Sequence, residues 1–289
     1  MTMIQESIVI SSEASSTFAG SRDLPGWIVM WSLAFAIYCI FKMVSWQSRK
    51  RANVACWKQM AYLFAWPGMD ADRFLNAENI NVPRPSIQEW IFAFLKLCFG
   101  LTLLIGAVPE LSAFDSDLVG WTGMIGIIFS LHFGLFHLLS LVWRSCGLQA
   151  DPIMDWPIAS QGLAEFWGRR WNRAFRDLTY RLLFRPLLPR LGPSGSLLAG
   201  FLISGLVHDL VISMPARGGF GGPVLFFITQ GAGILVERSR IGKSVGLGRG
   251  ISGRIFCIAL LLLPVPLLFH RPFVCNVIVP FLKATGCLS

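Results

Sequence analysis

The chain has 289 residues, of which 54% are hydrophobic and only 14% are charged, and its mean hydropathy is +0.60. Soluble domains carry roughly 25% charged residues, so this composition excludes an ordinary soluble domain. It predicts an all-α polytopic bundle of transmembrane helices, with about six to eight spans of ~20 residues each. The net charge of +9 does not indicate nucleic-acid binding, because the basic residues form short clusters between apolar stretches.

Residues 1–23 are polar and rich in serine, and no basic region precedes an apolar core there, so a secretory signal peptide is not indicated. We predict a flexible polar tail for 1–23. For 24–289 we predict a single membrane-embedded domain, because no repeat or long linker interrupts this part of the chain. The seven cysteines are scattered without a CxxC pair, so the sequence shows neither a zinc motif nor a redox motif.

A helix needs about 20 apolar residues to cross the hydrocarbon core of a bilayer. Six stretches are predicted to do so: 24–44, 90–108, 118–142, 196–214, 221–236 and 255–270. The fifth is short, and a re-entrant path is an alternative for it. Two other apolar pieces are shorter still. We expect 54–66 to lie at the membrane interface, and 273–282 to be either a partial span or interfacial.

The distribution of lysine and arginine predicts the orientation of the spans, because cytoplasmic loops are enriched in both. Lys42, Arg49, Lys50 and Arg51 follow the first span, which predicts a cytoplasmic end there and an N-terminus outside. The segment 145–190 is strongly basic and is also predicted to be cytoplasmic. The third and fifth spans end at basic residues as well, so basic loops alternate along the chain.

The segment 156–190 contains the sequence WGRRWN and is too charged to span a membrane. Its apolar residues recur with helical periodicity, which predicts an amphipathic helix at the interface, ended by Pro186 and Pro189. One predicted face is apolar and the other basic: Trp167, Trp171, Ala174, Phe175 and Leu178 against Arg169, Arg173, Arg176 and Tyr180. A lipid anchor is the simplest interpretation. However, the density of Trp and Arg exceeds what anchoring needs, and Asn172 lies at the border between the faces.

The fourth span contains an adjacent histidine and aspartate, His208 and Asp209. They lie about 12 residues into the span, a depth of ~18 Å. An ionisable group at that depth is costly and usually indicates function, although a histidine can also join two helices by a hydrogen bond. His132 and His137 are five residues apart, about 140° around a helix, so they do not form a helical metal pair. His270 lies at a span end.

Four segments together resemble the wax synthase branch of the membrane-bound O-acyltransferase superfamily. They are EFWGRRWN (Glu165–Asn172), SGLVHDL (Ser204–Leu210), FFITQGAGILVER (Phe226–Arg238) and AYLFAWPGMD (Ala61–Asp70). The resemblance covers about residues 60–245 and is most specific in EFWGRRWN. The chain departs from the family in Asp209, where plant-like members often have Glu, and in being shorter than the many-helix members.

The resemblance implies an acyl-CoA-dependent O-acyltransferase with Asn172 and His208 in its active site. His208 would take the proton of the acceptor hydroxyl as general base, and Asn172 would donate a hydrogen bond to the developing oxyanion. Acyl-CoA would be the co-substrate, with no metal or prosthetic group, and the acceptor would be a lipophilic alcohol entering from the membrane lipids. The expected substrate-binding residues are Trp167, Arg169, Arg170, Trp171, Arg173 and Arg176.

Several alternatives remain open on the sequence alone. The acceptor could instead be a sterol, a diacylglycerol or a secondary-metabolite hydroxyl, and the donor chain could have any length from acetyl upward. A transporter is a different class, but it would require a continuous polar stripe across several spans, which the sequence lacks. A noncatalytic membrane scaffold would tolerate changes at Asn172 and His208. The oligomeric state is not indicated.

Overall fold

The computed structural model describes residues 24–50, 53–75 and 82–288, so the predicted tail 1–23 lies outside the described residues. All regular elements in these ranges are helical, without a β-strand, which confirms the predicted all-α fold. In chain order the helices are α1 (Gly26–Gln47), α2 (Cys56–Ala65), α3 (Ala71–Leu75), α4 (Ile87–Ala113), α5 (Ser116–Ser145), α6 (163–170), α7 (Arg173–Ala216), α8 (Gly222–Arg238), α9 (Arg240–Ser244), α10 (Gly250–Leu268) and α11 (271–284). A 3-10 turn, Pro157–Ala159, precedes α6.

Five of these helices, α1, α4, α5, α7 and α10, are long and apolar enough to cross a membrane, as expected of a polytopic integral membrane protein. The predicted span 221–236 forms α8, which has only 17 residues. At ~1.5 Å per residue α8 is about 25 Å long, less than the ~30 Å of a typical hydrocarbon core. Among the described residues, therefore, five helices and not six meet the length requirement.

Helices α4 and α5 form an antiparallel pair with small residues at their contact. A Cβ atom on Gly100 of α4 would lie 2.4 Å from the backbone nitrogen of Ser130. A Cβ atom on Gly126 of α5 would lie 2.8 Å from Cγ of Leu104. Small residues allow helix backbones to approach this closely inside a membrane.

Helices α7 and α8 approach each other in the same way. Ser204 and Gly205 of α7 are both buried, and a Cβ atom on Gly205 would lie 2.7 Å from Cα of Val224. On α8, a Cβ atom on Gly231 would lie 3.1 Å from the side chain of Leu198. This contact brings the part of α7 that carries His208 against the first half of α8.

The predicted apolar piece 273–282 forms most of α11, and α11 is part of the protein interior. Val274, Val277 and Leu282 are almost completely buried. Gly120 and Gly123 of α5 leave room for it, because Cβ atoms there would collide with Val274 and Leu282. The side chains of this piece therefore pack against other helices, and both alternatives for it, a partial span or an interfacial segment, stay predictions.

Lys42 belongs to α1 and not to the loop after it. Its side chain is 2% exposed, and Nζ donates hydrogen bonds of 2.6 Å to the carbonyls of Trp66 and Gly68. The ammonium also lies 3.5 Å from the ring centroid of Tyr62. Lys42 is therefore not a loop charge, as the sequence analysis had it, and the basic residues that follow the first span are Arg49, Lys50 and Arg51.

The WGRRWN segment does not form one continuous amphipathic helix, contrary to the prediction. Helix α6 ends at residue 170, Trp171 is extended, and Asn172 has a left-handed backbone with φ 40° and ψ 62°. Asparagine tolerates this conformation better than most residues. Helix α7 then begins at Arg173, so the two helices meet at a corner formed by Asn172.

Pro186 and Pro189 do not end the helix either. A π-type turn, Tyr180–Phe184, lies directly before Pro186 and already interrupts the regular hydrogen-bond ladder that a proline would break. The helix is kinked further on, at Gly192, which has φ 63° and ψ 179°. Pro193 follows that glycine, and a residue before proline is disfavoured in the helical region.

Candidate active site

His208 has a defined protonation pattern in the neutral state. It is the last residue of the α-helical part of α7, and a π-type turn, Asp209–Ser213, follows it. Its Nδ1 lies 2.7 Å from the carbonyl oxygen of Ser204. Because a carbonyl only accepts hydrogen bonds, Nδ1 carries the proton and the lone pair of the neutral imidazole is on Nε2. The ring is therefore oriented to accept a proton at Nε2.

Helix α8 connects His208 to the WGRRWN segment. The rings of His208 and Phe227 have centroids 4.4 Å apart, and Trp167 of α6 lies 5.7 Å from the same Phe227 ring. Trp167 also donates from Nε1 to Oε1 of Gln230, at 3.3 Å. Three segments that are far apart in the chain thus meet around Phe227.

Trp171 also contacts the interior of the protein. Its ring stacks on Phe166 with centroids 5.4 Å apart and an interplanar angle of 16°. It also lies 6.2 Å from Phe133 of α5, and Phe166 in turn contacts Trp167 at 5.1 Å. The aromatic residues of α6 and its corner therefore form one cluster between the spans and the motif.

Asn172 forms the corner between α6 and α7 and caps α7. Its Oδ1 accepts a hydrogen bond of 3.2 Å from the backbone N–H of Phe175, and its own N–H lies 3.3 Å from Sδ of Met154. The next N–H, that of Arg173, donates to the carbonyl of Ile153 at 3.0 Å. The amide oxygen is thus engaged, which leaves the NH2 group as the donor. In the described part of the chain no hydrogen bond joins Asn172 to His208, and its predicted catalytic role stays a prediction.

Asp209 does not pair with His208, although the two are adjacent in the sequence. Its Oδ1 accepts hydrogen bonds from Ser213 Oγ at 2.6 Å and from the N–H of Gly221 at 3.0 Å. Adjacent residues of a helix point about 100° apart, which explains the separate environments. The carboxylate therefore stabilises the π-type turn and the loop before α8.

His270 completes the network around Asp209. Its Nδ1 accepts from the N–H of Phe273 at 3.2 Å, so the proton of the neutral ring is on Nε2, which lies 3.0 Å from Ser213 Oγ. Burial lowers the pKa of His270, and the nearby carboxylate of Asp209 opposes that shift. Sequence analysis missed this network, because Ser213 and His270 are 57 positions apart.

Arg170 is engaged inside the protein. Its Nε forms an ion pair of 2.7 Å with Oε1 of Glu165, and its Nη1 donates to the carbonyl of Asp155 at 3.2 Å. The backbone N–H of Gln161, followed by Arg170, lowers the pKa of the Glu165 carboxyl below its ordinary value. This arginine therefore holds α6 to the loop before it.

The other arginines that were predicted to bind the substrate differ in how far they are available to a ligand. Arg173 pairs with Asp151 at 3.4 Å, and Arg176 donates from Nη1 to the carbonyl of Gly168 at 2.8 Å and also pairs with Asp177. Arg169 is exposed, and no acidic side chain of the described ranges forms an ion pair with it. The predicted basic face is therefore mostly satisfied internally, with Arg169 as the arginine that remains open to a ligand.

The two histidines of α5 have separate environments. Nδ1 of His137 lies 3.1 Å from Nζ of Lys96 on α4. His132 contacts Phe136 at 5.3 Å between centroids, and its buried Nδ1 has no hydrogen-bond partner among the residues that the structure describes. Unlike the ring of His208, which contacts Phe227 of α8, these two rings contact residues of α4 and α5.

Two polar residues of α8 near this cluster were not singled out from the sequence. Gln230 is completely buried and Glu237 is 6% exposed. A signal for Gln230 was present, because a polar side chain in the middle of an apolar helix usually has a specific partner. Glu237 stands beside Arg238 at the helix end, where a charged residue is ordinary, so it gave no comparable signal.

Comparison with known proteins gives matches over the middle of the chain. Residues 150–229 match the model of the Membrane bound O-acyl transferase family. A long-chain-alcohol O-fatty-acyltransferase of Simmondsia chinensis is 29% identical over 46% of this chain and 43% of its own length. A probable long-chain-alcohol O-fatty-acyltransferase 2 of Arabidopsis thaliana is 27% identical over 47% and 42%.

An acyl-CoA–sterol O-acyltransferase 1 of Arabidopsis thaliana is 32% identical over 32% of this chain and 29% of its own length. The chain spans less than half the length of these curated relatives. The segment matched by the family model contains α6, Asn172, His208 and Phe227. These matches confirm the resemblance stated from the sequence.

Proposed function

We propose that this protein, a wax synthase-like relative of the membrane-bound O-acyltransferases, transfers an acyl group from acyl-CoA to the hydroxyl of a lipophilic alcohol. The observation that carries the proposal is the arrangement of His208, with Nδ1 bonded to Ser204 and the ring against Phe227. Phe227 also contacts Trp167, in the segment most specific to the family. Phe227 thus lies between the ring of His208 and the characteristic motif, which supports a role for His208 as the base.

In the proposed reaction, Nε2 of His208 removes the proton of the acceptor hydroxyl while its oxygen attacks the thioester carbon. The resulting tetrahedral intermediate carries its negative charge on the former carbonyl oxygen. The NH2 group of Asn172 donates a hydrogen bond to this oxyanion. The carbon–sulfur bond then breaks, and the CoA sulfur takes the proton from the imidazolium, so the products are an ester and free CoA.

The donor is proposed to approach from the side that carries Arg169, which we place in the cytoplasm. Arg169 is the arginine available for the phosphate groups of CoA, whereas Arg170, Arg173 and Arg176 hold the surrounding backbone in place. The acyl chain would lie among the apolar spans, and the alcohol would enter from the membrane. A long-chain alcohol is the first acceptor to test, because two of the relatives above bear that name.

The test is a product screen with purified protein in lipid nanodiscs, labelled acyl-CoAs of several chain lengths, and fatty-alcohol, sterol and diacylglycerol acceptors. Ester should form with at least one pair. His208→Gln keeps the volume and the hydrogen bonding but removes basicity, and should lower turnover about a hundredfold to ten-thousandfold. His137→Gln is the matched control, because this histidine bonds to Lys96 instead. Normal turnover in His208→Gln would assign His208 a structural role.

A further inference from the structure

Gln230 and Glu237 take no part in the chemistry just described, yet both are buried. Burying a carboxylate is costly unless hydrogen bonds compensate it, so its partners indicate its role. The two residues are seven positions apart on α8, or about two helical turns, and therefore lie on one side of it. Phe227 is three positions before Gln230 and lies on the same side. This side of α8 contacts α6.

Glu237 binds the start of α6. Its Oε2 accepts a hydrogen bond of 2.6 Å from the N–H of Leu163, and its Oε1 accepts one of 3.3 Å from the N–H of Ala164. The first N–H groups of a helix have no partner within the helix, and a negative charge there is favourable. The approach is tight, because a Cβ atom on Gly162 would lie 2.7 Å from Oε2 of Glu237.

Gln230 binds the middle of α6. Its Oε1 accepts from Nε1 of Trp167 at 3.3 Å, and its Nε2 donates to the carbonyl of Leu260 on α10 at 2.7 Å. Both ends of the amide are therefore engaged, which fixes its orientation. Trp167 in turn is held against Phe227, the residue in contact with His208.

We propose that Gln230 and Glu237 are positioning residues, which fasten α6 to α8 at two points and so hold Trp167 in register with His208. This rests on the proposed acyl transfer, in which α6 and Asn172 must face the base. Neither residue touches the reacting atoms. Their loss should reduce kcat, because α6 and Trp167 would no longer be held in position relative to His208.

The first measurement does not depend on activity. Trypsin cleavage after Arg169, which is exposed, reports the opening of α6 in the folded protein and is followed by fragment mass. Gln230→Leu and Glu237→Gln should accelerate this cleavage several-fold. Thr229→Val is the matched control, because this half-buried residue bonds through its hydroxyl to the carbonyl of Leu225 within α8 and not to α6. Cleavage at the normal rate in both variants would overturn the fastening of α6.

The second measurement is a double-mutant cycle on turnover. Trp167→Phe keeps an aromatic ring but removes Nε1–H, the group that Gln230 binds. If Gln230 acts through Trp167, each single variant should lower kcat about tenfold and the double variant no further, because misplacement alone can cost up to about a hundredfold. Additive losses would refute this route. Faster trypsin cleavage with a normal kcat would also refute the positioning role, because the contacts of Gln230 and Glu237 would then hold α6 without affecting turnover.

The two proposals fail in different ways. If the unaltered protein forms no ester with any donor and acceptor, the proposed function is wrong, and with it the positioning role in acyl transfer. The trypsin measurement would still decide whether Gln230 and Glu237 hold α6. If the unaltered protein is active and the variants match it in both assays, the positioning role alone is wrong.

Discussion

The contact between α7 and α8 leads to a quantitative prediction for Gly205→Ala. The new Cβ atom would lie 2.7 Å from Cα of Val224, whereas carbon atoms in contact are about 3.5–4.0 Å apart. The obstacle is backbone and cannot rotate away, so α7 and α8 must separate by about 1 Å. Overpacking of this kind costs about 1–3 kcal/mol. Because His208 and Phe227 are on opposite sides of this contact, turnover should fall as well.

Gly106→Ala supplies the matched control for Gly205→Ala. A Cβ atom at position 106 of α4 would have Thr102 as its nearest neighbour, at 3.9 Å, which is ordinary contact. Replacing glycine by alanine gains about 1 kcal/mol of helix propensity at either position. The difference in stability between the two variants therefore isolates the packing cost. In nanodiscs, the apparent unfolding temperature of Gly205→Ala should be lower than that of Gly106→Ala. The kcat of Gly205→Ala should also be lower. Equal unfolding temperatures and equal turnover would refute the close approach of these helices.

Three further predictions follow from the site and the spans. Arg169→Ala should raise the KM for acyl-CoA with little change in kcat, because phosphate contacts exist in ground and transition states alike. Steady-state kinetics measures both constants, and an unchanged KM would contradict the prediction. A single cysteine at Ile158, which is 82% exposed, should resist membrane-impermeant labelling from outside intact cells, and ready labelling would reverse the orientation. Burial lowers the pKa of His270 below 6.5, so its contribution to stability should be complete above pH 6.5 and decline as the pH falls through that value. Melting temperatures from pH 5 to 8 should show this decline, and His270→Gln should flatten it.

The long helices were predictable because hydropathy is a local property. Helices α1, α4, α5, α7 and α10 each overlap a predicted span. Their ends differ from the predicted ends by two to five residues, except that α7 begins at Arg173 and not near residue 196. Helix α8 was predicted as a sixth span, although its 17 residues are fewer than those of the five long helices, because apolar composition does not distinguish a lipid-facing helix from one buried against others. The interior position of α11 was also not readable from composition, since it depends on glycines of α5 that lie far from it in the chain.

The corner at Asn172 shows a different limit. The helical periodicity of 163–180 continues on both sides of the break, so a pattern of apolar residues does not reveal it. What holds the corner is the loop before α6, through Ile153 and Met154. The family resemblance singled out Asn172 as a site residue. The structure adds that the amide oxygen of Asn172 caps α7. The sequence also did not predict the hydrogen-bond network of Asp209, Ser213 and His270, because these residues meet only in the folded chain.

The buried ammonium of Lys42 has a consequence for the order in which the protein assembles. A lysine in an apolar helix disfavours insertion into the membrane when it faces lipid. Its acceptors, the carbonyls of Trp66 and Gly68, are synthesised more than twenty residues later. Until that loop docks, the amine of Lys42 lacks these two acceptors, so the position of α1 in the bilayer depends on a segment that is synthesised after it. The stable insertion of α1 therefore requires the later docking of the loop that contains Trp66 and Gly68.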